Sequence, residues 1–173
     1  MSILKAFKKI TCFALDVDGV LTDGSLVLLD DGEMARSMHT RDGYALQLAV
    51  KKGYRIIVIS GGGNEGARKR LNKLGIVDIH FDATDKLSLL QAYMEAHGLL
   101  PEQVLYMGDD IPDYSAMKYV GLPCCPADAA PEIRMAAAYI ASASGGRGCV
   151  REVIEKVLKL NGQWQLDTRV TST

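Results

Sequence analysis

The sequence predicts an α/β fold, a Rossmann-like parallel sheet with helices on both faces and a small β-hairpin after the first strand. Three observations carry this reading. Short apolar runs such as Arg55–Ile59 alternate with longer helix-like stretches that end in glycine. Two of those runs, Cys12–Leu15 and Val104–Met107, lead straight into clustered aspartates, and open parallel sheets place their chemistry at such strand ends. The length of 173 residues, 48% of them hydrophobic, suits one domain with a sizeable core.

The elements follow in order. Cys12–Leu15 is a buried strand. Leu26–Leu29 and Met34–His39, joined around Asp30-Asp31-Gly32, read as the hairpin. Tyr44–Lys52 is helical and Gly53 ends it. Arg55–Ile59 is a core strand, Asn64–Leu74 a helix with Gly75 as its C-cap. Ile79–Phe81 is a short strand and Leu87–His97 a helix stopped by Gly98. Then come a strand at Val104–Met107, a short helix at Ser115–Tyr119, short strands at Leu122–Cys125 and Tyr139–Ile140, and a closing helix at Val150–Leu160. Residues 1–162 form one domain. Residues 163–173 are polar, show no packing face, and read as a tail that is mobile or ordered by a partner.

Composition excludes several classes of function. A formal net charge of −1 gives no basic field for nucleic acid or a membrane surface. The apolar run after Lys5, Lys8 and Lys9 meets Asp16 too soon for a signal peptide or a membrane span. Cys12, Cys124, Cys125 and Cys149 have no C-x-x-C spacing and read as free thiols of a reducing cytoplasm. His39, His80 and His97 make no metal spacing, and Glu33 and Arg36 read as solvated charges.

The chemistry lies where strands end. Asp16 and Asp18 flank a turn completed by Gly19. A carboxylate can act as a covalent nucleophile in phosphoryl transfer, and a second one beside it can donate and accept the proton. Asp109, Asp110 and Asp113 repeat the pattern after Val104–Met107, and such a cluster suits Mg²⁺, which binds a few carboxylates together with waters and a substrate phosphate. Ser60 and Gly61, at the end of Arg55–Ile59, offer a hydroxyl and a backbone N–H to an anion. Lys86 can hold a phosphate as a point charge. Each feature has a structural alternative: a polar turn, a capped helix start, a serine N-cap, a solvated lysine. The run Gly61–Gly66 also fits G-x-G-x-x-G, with Asp82 about twenty residues on, the pattern of a dinucleotide site. That reading leaves Asp16, Asp18 and Asp109 unexplained.

The order of these motifs from Asp16 to Asp113 resembles the haloacid-dehalogenase superfamily of phosphatases. That resemblance implies Asp16 as nucleophile and Asp18 as general acid/base. It implies Mg²⁺ bound by the Asp16 side chain, the Asp18 main-chain carbonyl and Asp109, with Ser60 and Lys86 on the phosphoryl oxygens. The segments between Asp18 and Ser60, and between Ser60 and Lys86, are too short for the cap domain many members carry. Nearly the whole chain is similar to the 3-deoxy-D-manno-octulosonate 8-phosphate phosphatase family, a capless tetrameric branch. The carrying segments are Asp16–Gly24, Thr40–Tyr44, Lys73–Ile76, Gly108–Asp113 and Gly145–Val153.

By that resemblance the substrate is a small acidic sugar phosphate, contacted by Asp18, His39, Thr40, Arg41, Asp42, Gly43, Gly61, Arg70 and Lys86. A neighbouring subunit of the homotetramer closes the site with the Leu26–His39 hairpin and the tail. Two family arginines associated with the acidic sugar are replaced here, by Gly62 and Gln47. Lys73 is similar to a lysine of the sister family acting on 2-keto-3-deoxynononate 9-phosphate, which pairs it with a glutamate where this chain has Gly62. The remaining alternatives are a phosphatase of broad specificity and a catalytically quiet oligomerisation module.

Overall fold

The computed structural model describes residues 2–63, 65–165 and 167–170. In chain order the elements are α1 (Ile3–Lys9), β1 (Cys12–Leu15), β2 (Val27–Leu28), β3 (Met34–Ala35), α2 (Thr40–Lys51), β4 (Arg55–Ile59), α3 (Glu65–Lys73) and β5 (Asp78–His80). They continue with α4 (Lys86–His97), β6 (Val104–Met107), α5 (Tyr114–Tyr119), β7 (Leu122–Cys125), α6 (Pro131–Ala136), β8 (Tyr139–Ile140) and α7 (Cys149–Leu160).

Six strands pair in parallel in the order β5-β4-β1-β6-β7-β8. β1 lies centrally, with Leu15 opposite Val58 on one side and Met107 on the other. Strand alternation splits its side chains between two cores. Phe13 and Leu15 join Phe7 of α1, Leu46 and Leu48 of α2 and Val153 and Val157 of α7. Cys12 and Ala14 join Leu90 of α4, Met117 of α5 and Ile133 of α6. Helices thus cover both faces, as the alternating pattern predicts. β2 and β3 form the separate antiparallel hairpin, and among the described residues no cap domain is inserted between the motifs.

Several expectations need correction. α1 and α6 are additional helices. α1 is only seven residues long and buries only Phe7, too short a run for its apolar spacing at Ile3, Ala6 and Phe7 to stand out in the sequence. The hairpin is shorter than predicted: two residues pair on each strand, and beyond them a single bridge joins Thr22 to Met38. α2 starts at Thr40 rather than Tyr44, with the His39 imidazole accepting from the Arg41 amide. The stretch after residue 162 has a packing face after all. Trp164 meets the Tyr44 ring edge-on with centroids 6.0 Å apart, and Val170 is buried against the core. Residues 166 and 171–173 of that tail lie outside the described set.

Candidate active site

The parallel register delivers the C-terminal ends of β1, β4 and β6 to one edge, and the chemistry gathers there. Asp16 follows β1 directly. Its amide donates to Met107 O at 3.0 Å, tying it to the end of β6, and its Oδ1 accepts from the Val17 amide at 2.7 Å. The chain then reverses through Gly19 at φ +81°, a left-handed conformation that suits glycine. A Cβ on Gly19 would overlap the Asp109 carboxylate, so glycine also lets the end of β6 lie against this turn. The fully buried Thr22 staples the turn: its hydroxyl donates to Val17 O at 3.3 Å and accepts from the amide of Gly24 at 3.2 Å.

Asp16, Asp18, Ser60, Gly61, Lys86 and Asp109 all line one cavity of about 550 Å³, with Asp113 and Thr84. Lys86, the first residue of α4, is 6% exposed and places its ammonium 3.0 Å from Asp16 Oδ2 and 2.7 Å from Asp113 Oδ1. Ser60 is buried at the end of β4 and accepts from the Gly62 amide at 3.4 Å. Asp113, named in the sequence only as part of a cluster, is the hub. Its carboxylate accepts from Lys86, from the Tyr106 hydroxyl at 2.8 Å and from the Asp109 amide at 3.1 Å.

The electrostatics are unbalanced. Burial, reinforced by the Asp113 charge, pushes the Asp16 carboxyl up against the opposing pull of Lys86. Burial and the charges of Asp16, Asp113 and Asp110 push Asp109 up to about 7. Burial works against the Lys86 ammonium, but Asp113 and Asp16 outweigh it and hold its pKa above the ordinary lysine value. Asp16, Asp109 and Asp113 each bring an oxygen within 4.8 Å of the others. Three carboxylates against one ammonium leave two negative charges, which one divalent cation would neutralise. All-oxygen donors of this kind fit Mg²⁺.

Arg36, read from sequence as solvated, is part of the site. It reaches from the hairpin to fork the Asp18 carboxylate, with Nε 2.7 Å from Oδ1 and Nη2 3.0 Å from Oδ2. Arg36 also lines a second cavity of about 400 Å³ with Thr40 and Arg70. His39, Arg41, Asp42 and Gly43 line neither cavity. Asp42, in the first turn of α2, is buried against the start of α7, and its Oδ1 accepts from the Arg151 amide there at 2.7 Å. Gly61 and Gly62 line the carboxylate cavity, and a Cβ on Gly63 would overlap Phe81, so this glycine run has packing reasons beyond a dinucleotide turn. Lys73 is exposed and lines neither cavity.

Comparison with known proteins agrees with this geometry. A family model for haloacid dehalogenase-like hydrolase matches residues 71–153. The 3-deoxy-D-manno-octulosonate 8-phosphate phosphatase of Salmonella typhi is 34% identical over 161 residues, 93% of this chain and 86% of the relative. The crystal structure of the Yersinia pestis phosphatase of that name superposes with a TM-score of 0.90 at 32% identity, covering 93% of this chain and 87% of the other. The Moraxella catarrhalis one, in complex with magnesium, phosphate and KDO, gives 0.88 at 32% identity, covering 91% of each chain. The chain therefore belongs to the haloacid dehalogenase-like hydrolases and, within them, to the 3-deoxy-D-manno-octulosonate 8-phosphate phosphatase family.

Proposed function

We propose that this protein is a Mg²⁺-dependent phosphatase that hydrolyses 3-deoxy-D-manno-octulosonate 8-phosphate to the free sugar acid and phosphate. One observation carries the reading: Asp16, Asp18, Ser60, Lys86 and Asp109 converge on a single cavity in a chain 34% identical to phosphatases of that name over 93% of its length.

Asp16 is the nucleophile. It is fixed by the Val17 amide and by Lys86, which leaves it little freedom to turn away from a bound phosphorus. It attacks in line and forms an aspartyl-phosphate, while Asp18 gives a proton to the departing sugar oxygen. Asp18, 32% exposed, then takes a proton from the water that cleaves the aspartyl-phosphate. Lys86, the Ser60 hydroxyl and nearby backbone N–H groups hold the phosphoryl oxygens. Asp16, the Asp18 main-chain carbonyl and Asp109 would hold Mg²⁺, which when bound neutralises charge on those oxygens. Thr40 and Arg70, in the adjoining cavity, contact the sugar.

The protein works as a homotetramer in the cytoplasm. The hairpin presents Leu26, Val27, Leu28, Leu29 and Met34, between 41% and 74% exposed, a patch that a second copy would cover. His39, Arg41 and Gly43 contact substrate only in that assembly. Among the described residues no helix is long and apolar enough to cross a membrane, and the four cysteines are buried and free. A competition assay with equal octulosonate 8-phosphate and 2-keto-3-deoxynononate 9-phosphate tests the substrate. Faster loss of the octulosonate supports the reading, and preference for the nononate would move the substrate while keeping the chemistry.

A further inference from the structure

Gly62 leaves room beside Asp18, and the Arg36 guanidinium occupies it. A Cβ built on Gly62 would lie 3.2 Å from Arg36 Nη2 and 3.5 Å from Asp18 Oδ2. A side chain at position 62 would therefore point at the spot where the guanidinium now sits. That guanidinium comes from the hairpin side, anchored by Nη1 donating to Met34 O at 3.0 Å. Its side chain is only 4% exposed. A long cation is held in so closed a place when its charge has partners to serve.

Asp18 is one partner, and the placement of Arg36 provides for a second. Arg36 lines one cavity and bonds to Asp18, which lines another. The cavity of Asp18 is the carboxylate-lined one with Asp16 and Lys86. The second cavity is lined by Arg36 and Arg70 together with Thr40 and Met38, and no acid lines its wall among the described residues. Its hydrogen bonds to Asp18 and to Met34 O use three of the five N–H groups of Arg36, which leaves donors for an anion entering the second cavity. Both Asp18 oxygens accept from Arg36. For Asp18 to handle a proton at the leaving oxygen, one of these N–H groups has to let go. An anion in the second cavity would draw it in that direction.

We propose that Arg36 is a specificity-determining residue: it reads the carboxylate of the acidic sugar phosphate from the hairpin side, in the space Gly62 leaves, and shares its guanidinium between that carboxylate and Asp18. The inference rests on the acidic substrate proposed above. It accounts for how a site with glycine at position 62 selects an acid, because the cation is supplied from position 36.

The test compares wild type, Arg36→Gln and the double variant Arg36→Gln/Gly62→Arg on the octulosonate phosphate and on neutral mannose 6-phosphate. Thermal melting checks the fold of each. Calorimetric binding of the free sugar acid gives a readout that needs no turnover. In Arg36→Gln the ratio of kcat/KM for the acid over that for the neutral ester falls about 10- to 100-fold, mainly through KM, as expected for loss of a charged hydrogen-bond pair. Sugar-acid binding weakens in step, and Gly62→Arg restores much of both. Equal losses on the two esters, confined to kcat and with sugar-acid binding unchanged, would overturn the proposal and leave Arg36 as a holder of Asp18. Failure of Gly62→Arg to rescue a folded double variant would count against the shared space. A wild type that binds the sugar acid through Arg36 but never turns over its phosphate would refute the proposed reaction and not this role.

Discussion

At the residue scale the site is an arrangement of acids that would repel one another without a cation. Asp16→Asn removes the nucleophile and one buried charge together. Turnover should fall by at least about a thousandfold, while the melting temperature without metal holds or rises, because repulsion from Asp113 is relieved. Steady-state assay beside a melt checks both, and residual wild-type turnover would refute the nucleophile assignment. Asp113→Ala acts oppositely on stability. It strips Lys86, the Tyr106 hydroxyl and the Asp109 amide of an acceptor in a fully buried place. A loss of about 2–4 kcal/mol in urea unfolding is expected. The residues hardest to read from sequence were those whose direction is not set by a regular element. Asp16, Ser60 and Lys86 stand at strand or helix ends, where spacing alone places them. Arg36 follows a two-residue strand, so nothing in its neighbours told that it turns inward to Asp18. Thr22 closes a turn whose left-handed Gly19 only the backbone reveals.

At the element scale, α7 braces the turn that carries Asp16 and Asp18. Gly145 packs so closely on the Gly19 carbonyl that a Cβ there would overlap it, and the Gly146 amide donates to Val20 O at 2.9 Å. Glu152 of α7 holds the segment leading into this contact. It accepts from the Tyr139 hydroxyl and the Ser142 hydroxyl, each at 2.6 Å, and from the Ser142 amide. Burial opposes its ionisation, but those hydrogen bonds outweigh it and keep its pKa below the usual carboxylate value. A depressed folded pKa means stability that is present above the unfolded value of about 4.3 and lost as pH falls through the folded one. The melting lead of wild type over Glu152→Gln, about 1–2 kcal/mol for a half-buried group, is therefore expected in full at pH 6. It should shrink below about pH 4.3, and a lead constant down to pH 3 would contradict the assignment. β4, β6 and β7 have the bounds their sequences predict, because Ile56–Ile59, Val104–Met107 and Leu122–Cys125 are apolar runs covered on both faces, and exposed Arg55 marks where β4 begins. α6 was missed because Pro131–Ala136 spans six residues and buries only Ile133.

At the scale of the whole molecule, the open cavity and the apolar hairpin belong together. In the tetramer proposed above a neighbour covers the sugar end of the capless site, and Leu28, 74% exposed, is the residue that neighbour would cover first. Leu28→Asp should shift the species seen by light scattering from tetramer toward monomer. It should lower kcat/KM for the acidic substrate about tenfold or more, the scale of a lost interface contact. A tetramer that survives this change would exclude the hairpin as the contact. The central claim is that buried acids at one sheet edge, completed by a divalent cation, cleave a sugar phosphate. Phosphate release from 3-deoxy-D-manno-octulosonate 8-phosphate, measured with Mg²⁺ and again with EDTA, tests it most directly. Turnover that appears with Mg²⁺ and vanishes with EDTA is the predicted result; equal turnover in both, or no release from this or any other phosphate ester, would contradict it.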